Sequence, residues 1–369
     1  MDGFFICVNL CASVAISSFV SGFPVLECDN PRALGGIEDN LSAGTLGAMT
    51  MGNAMTGMNP IRAYAPASVG NFAAGLDLLG AALAPLDGSL LGDVVLIEAA
   101  EEDAFALEGL YASALPPDPA KNLVLKTYAL FKARMESLGR PCGPFSLTLE
   151  KRLPLNSGMG SSASSIVATL AGLQAACGQP FSDEELLELA GQAEGVYSGG
   201  AHLDNAAPSL LGGLQLVTPR GARRLPWPED LLIVLVHPDF ELPTARSRAV
   251  LPAEVPRPQA LAFGENLAGF VHALHTGDRE LLRACLRDPL AEPYRAPLLP
   301  GFHRAQAAAL EAGALGSSFS GSGPSMFGVA DSLAQAEAIQ RTMGEALAQE
   351  GLRSQGWICR LDGRGAQVY

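Results

Sequence analysis

The chain has 369 residues, of which 48% are hydrophobic, and a formal net charge of −14. That length and apolar content suffice for a globular protein of two ordinary domains. The acidic balance argues against nucleic acid or an acidic membrane surface as a partner, so a polyanionic ligand would have to be held locally by backbone amides, a few arginines and a metal.

Residues 1–59 differ from the rest, apolar at first and then rich in Gly, Met, Asn and Ser. They read as an N-terminal extension, disordered or translated from upstream of the natural start, with Met49, Met51, Met55 and Met58 as alternative starts. The stretch from Phe4 to Phe23 lacks the positive n-region of a signal peptide, carries Asp2 instead, and is too interrupted by Ser, Asn and Gly to read as a membrane span. The seven cysteines, Cys7, Cys11, Cys28, Cys142, Cys177, Cys285 and Cys359, form no C-x-x-C pair and read as reduced core residues of a cytoplasmic protein.

From Ile61 to Ser68 a strand-like segment runs into a proline-broken turn. Asn71 and Asp77 are the polar marks in the segment from Val69 to Gly80, each readable as a turn or cap residue. Asp93 to Glu98 and Phe145 to Leu149 alternate as strands, with a helix from about Leu123 to Leu138 between them. Asn122 before that helix reads equally as its cap or as an adenine contact.

The most informative stretch is Pro154-Leu155-Asn156-Ser157-Gly158-Met159-Gly160-Ser161-Ser162-Ala163-Ser164-Ser165, a small-residue loop entering an apolar helix from Ser161 to about Cys177. The first turn of a helix has unpaired N–H groups and the positive end of the macrodipole, so a phosphate can be held there without a lysine. Two plainer readings compete. Gly158 to Ala163 fits G-x-G-x-x-A, a dinucleotide pattern whose ribose ligand would be Asp183, although Phe181 to Glu185 reads as the cap of the next helix. The loop could also be tight for packing reasons alone. With no G-K-[ST], a Walker-type loop is excluded.

A helix from Glu184 to about Glu194 leads into Glu194-Gly195-Val196-Tyr197-Ser198-Gly199-Gly200-Ala201-His202-Leu203-Asp204-Asn205. This reads as a short glycine-rich turn on which carboxylates, an imidazole and an amide converge, held to the core by a buried strand from Leu210 to Val217. Pro226-Trp227-Pro228 reads as a linker, which divides the chain into 60–224 and 225–369. The second part carries an apolar strand from Leu231 to Val236, Thr244-Ala245-Arg246-Ser247-Arg248, and helices at Gln259 to His275 and Arg279 to Arg287. Pro293-Tyr294-Arg295 comes next, then a helix from Phe302 to Ala312. The glycine turn Ser320 to Ser325 lies between short strands, ahead of a helix from Ser332 to Gln349 and a strand from Trp357 to Leu361. The class expected is α+β.

Phosphoryl transfer from ATP would use each of these pieces, because its loose transition state needs positioning and charge neutralisation more than covalent chemistry. Mg²⁺ takes hard oxygen ligands and keeps several waters. Ser161, or its neighbour Ser162, and Glu194 are the expected metal ligands.

Pro66-Ala67-Ser68 with Asn71, the loop from Pro154 to Ala163, and Gly321-Ser322-Gly323-Pro324-Ser325 resemble the three motifs of the GHMP kinases. His202-Leu203-Asp204-Asn205-Ala206-Ala207-Pro208, the segment from Thr244 to Pro252, and Glu292-Pro293-Tyr294-Arg295 resemble the homoserine kinases among them. The resemblance runs from about Ile61 to the C-terminus. It implies a two-domain fold, with an N-terminal domain like the second domain of a small-subunit ribosomal protein, a ferredoxin-like C-terminal domain, and the site between them. It also implies transfer of a phosphoryl group from ATP to L-homoserine, a step toward threonine.

On that reading the loop from Pro154 to Ser164 holds the nucleotide, and Arg248 and Arg295 form the fork for a substrate carboxylate. Asp77 meets the ammonium, and Asn205, with Asn71 and His202, aims the hydroxyl. Asp204 resembles the aspartate taken as the base in related kinases, although mechanisms without a base are also argued for this family. Two departures stand out: Asn156 replaces the usual first glycine of the loop, and Arg246 adds a charge beside Arg248. By analogy alone a homodimer is expected.

Overall fold

The computed structural model describes residues 58–116, 118–198 and 202–369. The expected extension therefore lies outside the described residues except for Met58 and Asn59, and so do residues 199–201 of the Glu194 to Asn205 cluster. Among the described residues no helix is long and apolar enough to cross a membrane, and Cys142, Cys177, Cys285 and Cys359 are free thiols.

Strand β1 (Ile61–Pro66) is followed by β2 (Ser68–Gly70), a tight turn and β3 (Leu79–Pro85). Then come β4 (Gly92–Ala99), β5 (Ala104–Glu108), α1 (Leu123–Ser137) and β6 (Phe145–Glu150). Asn122 accepts the Val124 N–H at 2.9 Å, so its side chain caps α1. Helices α2 (Ser161–Ala176), α3 (Asp183–Ser198) and α4 (Leu203–Leu211) precede β7 (Leu214–Thr218) and β8 (Gly221–Leu225). The remainder is β9 (Leu232–Pro238), α5 (Thr244–Ala249), α6 (Arg257–Thr276), α7 (Arg279–Cys285) and α8 (Glu292–Arg295), then α9 (Phe302–Glu311), β10 (Ser317–Phe319), β11 (Met326–Ala330), α10 (Leu333–Ala348), β12 (Ser354–Leu361) and β13 (Gln367–Val368).

One expectation is overturned. Leu210 and Leu211 are not strand but the end of α4, and the strand begins at Leu214. The helical period wins because Leu203, Ala206, Ala207 and Leu210 recur at helical spacing and face the same core. Asp204 and Asn205 therefore stand in the first turn of a helix, and Glu194 stands inside α3, rather than on a glycine-rich turn. Strand β3 and the five-residue strands β5 and β8 carry no strong sequence signal. β5 is exposed at alternate positions and pairs only at the sheet edge with β6.

The strands form two sheets. One has five strands in the order β13-β1-β4-β6-β5, antiparallel apart from the β5–β6 pair, and the other runs β10-β11-β9-β12-β3-β7-β8 with β2 on β3. The larger sheet thus joins strands from both halves of the chain. Helices α1 to α4 bury Phe131, Ile166, Leu187 and Leu210 in one core with Val95, Ile97, Leu147 and Leu149 of the smaller sheet. In β9, Leu232, Val234 and Val236 pack toward Phe302, Ile339 and Met343, while Ile233 and Leu235 pack toward Phe72 and Phe270. A strand covered on both faces is apolar throughout rather than alternating.

Between β2 and β3 the backbone enters the left-handed region at Asn71 (φ 65°), Phe72 (φ 42°), Ala73 (φ 57°) and Asp77 (φ 58°). None of these is glycine, so each is held at a cost of about 1–2 kcal/mol. Packing offsets it. The Phe72 ring stacks on Phe327 with centroids 5.0 Å apart and meets Trp227 edge-on at 5.3 Å. Phe72→Ala should destabilise the protein by about 3–5 kcal/mol, read as a fall in denaturation midpoint at unchanged denaturant slope.

Candidate active site

The site is assembled at the N-terminal ends of α2 and α4. Gly160, in the left-handed conformation at φ 67°, is the N-cap of α2, and Asn156 and Gly158 also have positive φ, 52° and 76°. Asn tolerates that region better than other side chains, which accounts for Asn156 at the start of the loop. The Ser164 hydroxyl donates to the Ala65 carbonyl and accepts the Asp93 N–H, both at 2.8 Å, which pins the first turn of α2 onto β1 and β4.

Two hollows flank this turn. A pocket of about 110 Å³ is lined by Asn71, Asp77, Glu194, His202, Asp204, Asn205, Arg248 and Arg295 together with loop residues from Asn156 to Ala163. A hollow of about 370 Å³ lies beside it, with Leu115, Leu123, Val124 and Pro243 as apolar walls and Asn122, Ser162 and Glu194 as polar ones. The smaller is sized and charged for a compact polar molecule and the larger for a flat, partly apolar one. Each candidate substrate residue, Asn71, Asp77, His202, Asn205, Arg248 and Arg295, lines the smaller. Arg246 is exposed, two residues from Arg248 and so on the opposite side of α5.

Loop residues divide by direction. Met159 points into the core and Ser164 is used internally, so their side chains do not reach the pocket. Pro154 and Leu155 line a groove on the outer side of the loop together with His237 and Phe240, and Leu155 also reaches the larger hollow. Ser157, Gly158, Gly160, Ser161, Ser162 and Ala163 face the smaller pocket.

Within that pocket the polar groups hold one another. Arg248 Nη2 meets Asp77 Oδ1 at 3.2 Å and His202 Nδ1 lies 3.4 Å from the same oxygen. The Asn71 amide donates to the Gly321 carbonyl at 2.8 Å and accepts the Asp77 N–H at 2.9 Å, which ties the strained turn to the second glycine turn. The Ser68 hydroxyl donates to Asn205 Oδ1 at 2.9 Å, and Asn205 Nδ2 donates to Asp204 Oδ2 at 3.1 Å. Arg295, 2% exposed, donates to the Ser247 and Gly321 carbonyls at 3.3 and 3.2 Å. Arg248 Nε is buried with no acceptor among the described residues. A buried guanidinium N–H without a partner is costly and marks where a ligand acceptor fits.

Burial sets the charges. Asp204 is pushed up to about 7, chiefly by desolvation and then by Asp77, against Arg248. Glu194 is pushed up to about 8 by desolvation, with Asp204 adding and Arg248 opposing. Burial likewise pulls His202 down, opposed by Asp77. These shifts mark a pocket in which unlike charges are crowded out of water.

Ser161 and Glu194 offer a hydroxyl and a carboxylate on one wall of the pocket. Among the described residues no group of three or more His, Cys, Asp or Glu side chains could hold an ion alone. A hydroxyl and a carboxylate are hard oxygen donors of the kind Mg²⁺ takes, its shell being completed by water and phosphate.

Three contributors escaped the sequence reading. Lys151 and Asp93 form a buried ion pair under the loop, joined by Ser165. The signal was available: Lys151 continues the buried parity of Phe145, Leu147 and Leu149 along β6, and a lysine at a core position is unusual unless paired.

The segments 122–213 and 270–349 match the family models described as the GHMP kinases N terminal domain and the GHMP kinases C terminal. A solved homoserine kinase from Cytophaga hutchinsonii is 33% identical, with 85% of this chain and 98% of that chain covered and a TM-score of 0.78. This chain belongs to the GHMP kinases. Its fold is shared more distantly by a 4-(cytidine 5'-diphospho)-2C-methyl-D-erythritol kinase, at 23% identity over 82% of this chain and 99% of that one with a TM-score of 0.53. It is also shared by the L. major mevalonate kinase in complex with R-mevalonate, at 16% identity over 83% and 96% with a TM-score of 0.58. As a GHMP kinase the chain is a two-domain α+β small-molecule kinase.

A Cβ added at Gly160 of this GHMP kinase would lie 2.1 Å from Ser68 Oγ and 3.1 Å from Asn205 Oδ1. Gly160→Ala should therefore break the Ser68–Asn205 bond, add about 1–2 kcal/mol of left-handed strain and lower turnover at least tenfold. Steady-state kinetics beside an unchanged far-ultraviolet circular dichroism spectrum would check it.

Proposed function

We propose that the chain is a homoserine kinase, transferring the γ-phosphoryl group of ATP to the hydroxyl of L-homoserine and releasing ADP and O-phospho-L-homoserine. The observation that carries the proposal is the charge pattern of the small pocket: Arg248 and Arg295 beside Asp77, with Arg248 Nε lacking an acceptor among the described residues. Two guanidiniums and a carboxylate are the complement of an amino-acid zwitterion. The name of the Cytophaga hutchinsonii relative supports the same substrate.

In this reading the first turn of α2 and the residues from Asn156 to Ala163 hold the triphosphate with backbone N–H groups. Arg248 and Arg295 take the substrate carboxylate and Asp77 its ammonium, competing with Arg248 and His202 for the Asp77 oxygens. Asn205, braced by Ser68, positions the hydroxyl. Its proton passes to the Asp204 carboxylate as the oxygen bonds to the γ-phosphorus and the bond to the β,γ-bridging oxygen breaks. Mg²⁺, held by Ser161 and Glu194, would supply charge neutralisation on the phosphate oxygens.

An ADP-release assay with L-homoserine, L-serine, mevalonate and no acceptor tests the substrate. Release with L-homoserine alone is expected; preference for mevalonate would identify a kinase of another small alcohol, and no release with any acceptor a non-catalytic nucleotide-binding protein.

The raised Asp204 carboxyl gives a pH prediction. A raised value means that the proton is retained to higher pH, so the base form is lost as pH falls through about 7. The kcat/KM for the acceptor should fall about tenfold per unit below pH 7 and level off above it, and Asp204→Asn should lower turnover roughly 10²–10⁴-fold and abolish that limb. Unchanged turnover would remove Asp204 from the mechanism.

A further inference from the structure

Lys151 and Asp93 are 2% and 0% exposed and lie beneath the loop, not in the small pocket. Their bonds go to both ends of that loop. Asp93 Oδ1 accepts the N–H groups of Arg152 at 2.9 Å and Leu153 at 3.0 Å, the two residues leading into it. Asp93 Oδ2 accepts from Lys151 Nζ and, at 2.6 Å, from the Ser165 hydroxyl. Lys151 Nζ donates in addition to the Ser161 carbonyl and to Ser165 Oγ, both at 3.0 Å, on the first turns of α2.

The three ammonium protons thus match three protein acceptors, leaving none for a ligand. The charge nonetheless stands directly under the helix start, and the Lys151 side chain forms part of the wall of the larger hollow. A buried ion pair is a poor device for stability alone, since apolar replacements of similar volume often serve as well. This one sits where the spacing between loop entry and helix start decides which backbone N–H groups face outward.

We propose that the Lys151–Asp93–Ser165 network is a positioning device for the nucleotide. It fixes the separation of Arg152–Leu153 from Ser161–Ser165, so that the N–H groups between them converge on the phosphates. It acts on nucleotide affinity and not on acceptor affinity. The inference rests on the reading of the loop from Pro154 to Ser164 as the phosphate site.

The test is titration calorimetry of the full chain with MgADP, together with KM values for ATP and the acceptor. Four variants are compared: Lys151→Met, Lys151→Arg, Ser165→Ala, and the double variant Lys151→Met with Asp93→Asn. The double variant removes both charges while Asn keeps an oxygen for Arg152 and Leu153, so it covers the case in which Lys151→Met alone fails to fold. Lys151→Met and the double variant should each raise the Kd for MgADP at least tenfold and Ser165→Ala about threefold, with acceptor KM at saturating ATP unchanged within twofold. Lys151→Arg should regain most of the loss.

A folded double variant with unaltered Kd would reduce the network to a structural role and overturn the proposal, as would equal rises in both KM values. Absence of MgADP binding to the unsubstituted chain would instead remove the phosphate-site reading, and the proposal with it.

Discussion

The pocket depends on how closely β3 and α4 can approach. A Cβ at Gly80 would lie 1.5 Å from the Asp204 carbonyl, which no rotamer change could relieve because the clash is with backbone. Pro208, one turn on, offers no N–H to that carbonyl, so the first turn of α4 presents its carbonyl to the strand while the Asp204 and Asn205 side chains turn toward the loop. Gly158 makes the corresponding joint with the second glycine turn, where a Cβ would lie 2.3 Å from the Ser320 carbonyl. Motifs far apart in sequence meet at backbone contact distance, so small errors in any one of them move the functional groups of the others.

That closeness has an electrostatic consequence. Asp77, Glu194 and Asp204 share a small volume with Arg248 and Arg295, and Asp204 and Arg295 are buried within it. Desolvation raises both Asp204 and Glu194, and Arg248 offsets it only in part. The same desolvation strengthens every attraction a ligand makes there. A formal charge of −14 does not by itself bar an anion, because the potential that matters is set within a few ångströms by helix N-termini and guanidiniums.

Legibility from sequence depended on how local the determinants were. α1, α2 and β9 were readable because period, length and caps agree within each segment. The α4 helix was not, since Gly199 to Asn205 suggested a turn and Leu210 to Val217 a strand, whereas the apolar spacing from Leu203 to Leu210 decided for a helix. Strand β3 owes its form to pairing with a distant neighbour, Leu79 with Leu216, which no local pattern encodes, whereas β8 pairs with β7 across the turn at Pro219-Arg220, Leu214 with Leu225. Most of the residues that line the pocket were picked out through the resemblance to the GHMP kinase motifs rather than by spacing alone. The ion pair beneath it was not, because Asp93 looked like an ordinary strand terminus until Lys151 was placed against it.

The strained turn from Asn71 to Asp77 shows why the site tolerates local cost. Four non-glycine residues at positive φ would unwind in an isolated peptide, yet two independent anchors hold them. One is apolar: a buried phenylalanine contributes on the order of 1.5–3 kcal/mol through burial, and the contacts of Phe72 with Trp227, Phe270 and Phe327 add roughly 0.5–1.5 kcal/mol for each well-placed pair. The other is polar, the Asn71 amide bonded to Gly321 and to the Asp77 N–H. Together they are of the size needed to offset the strain, and what the strain secures is direction. An extended chain between β2 and β3 would carry Asp77 past the pocket, whereas the left-handed turn folds it back to face Arg248 and His202. The aromatic cluster behind the turn is therefore as much a determinant of the pocket's charge pattern as the charged residues themselves.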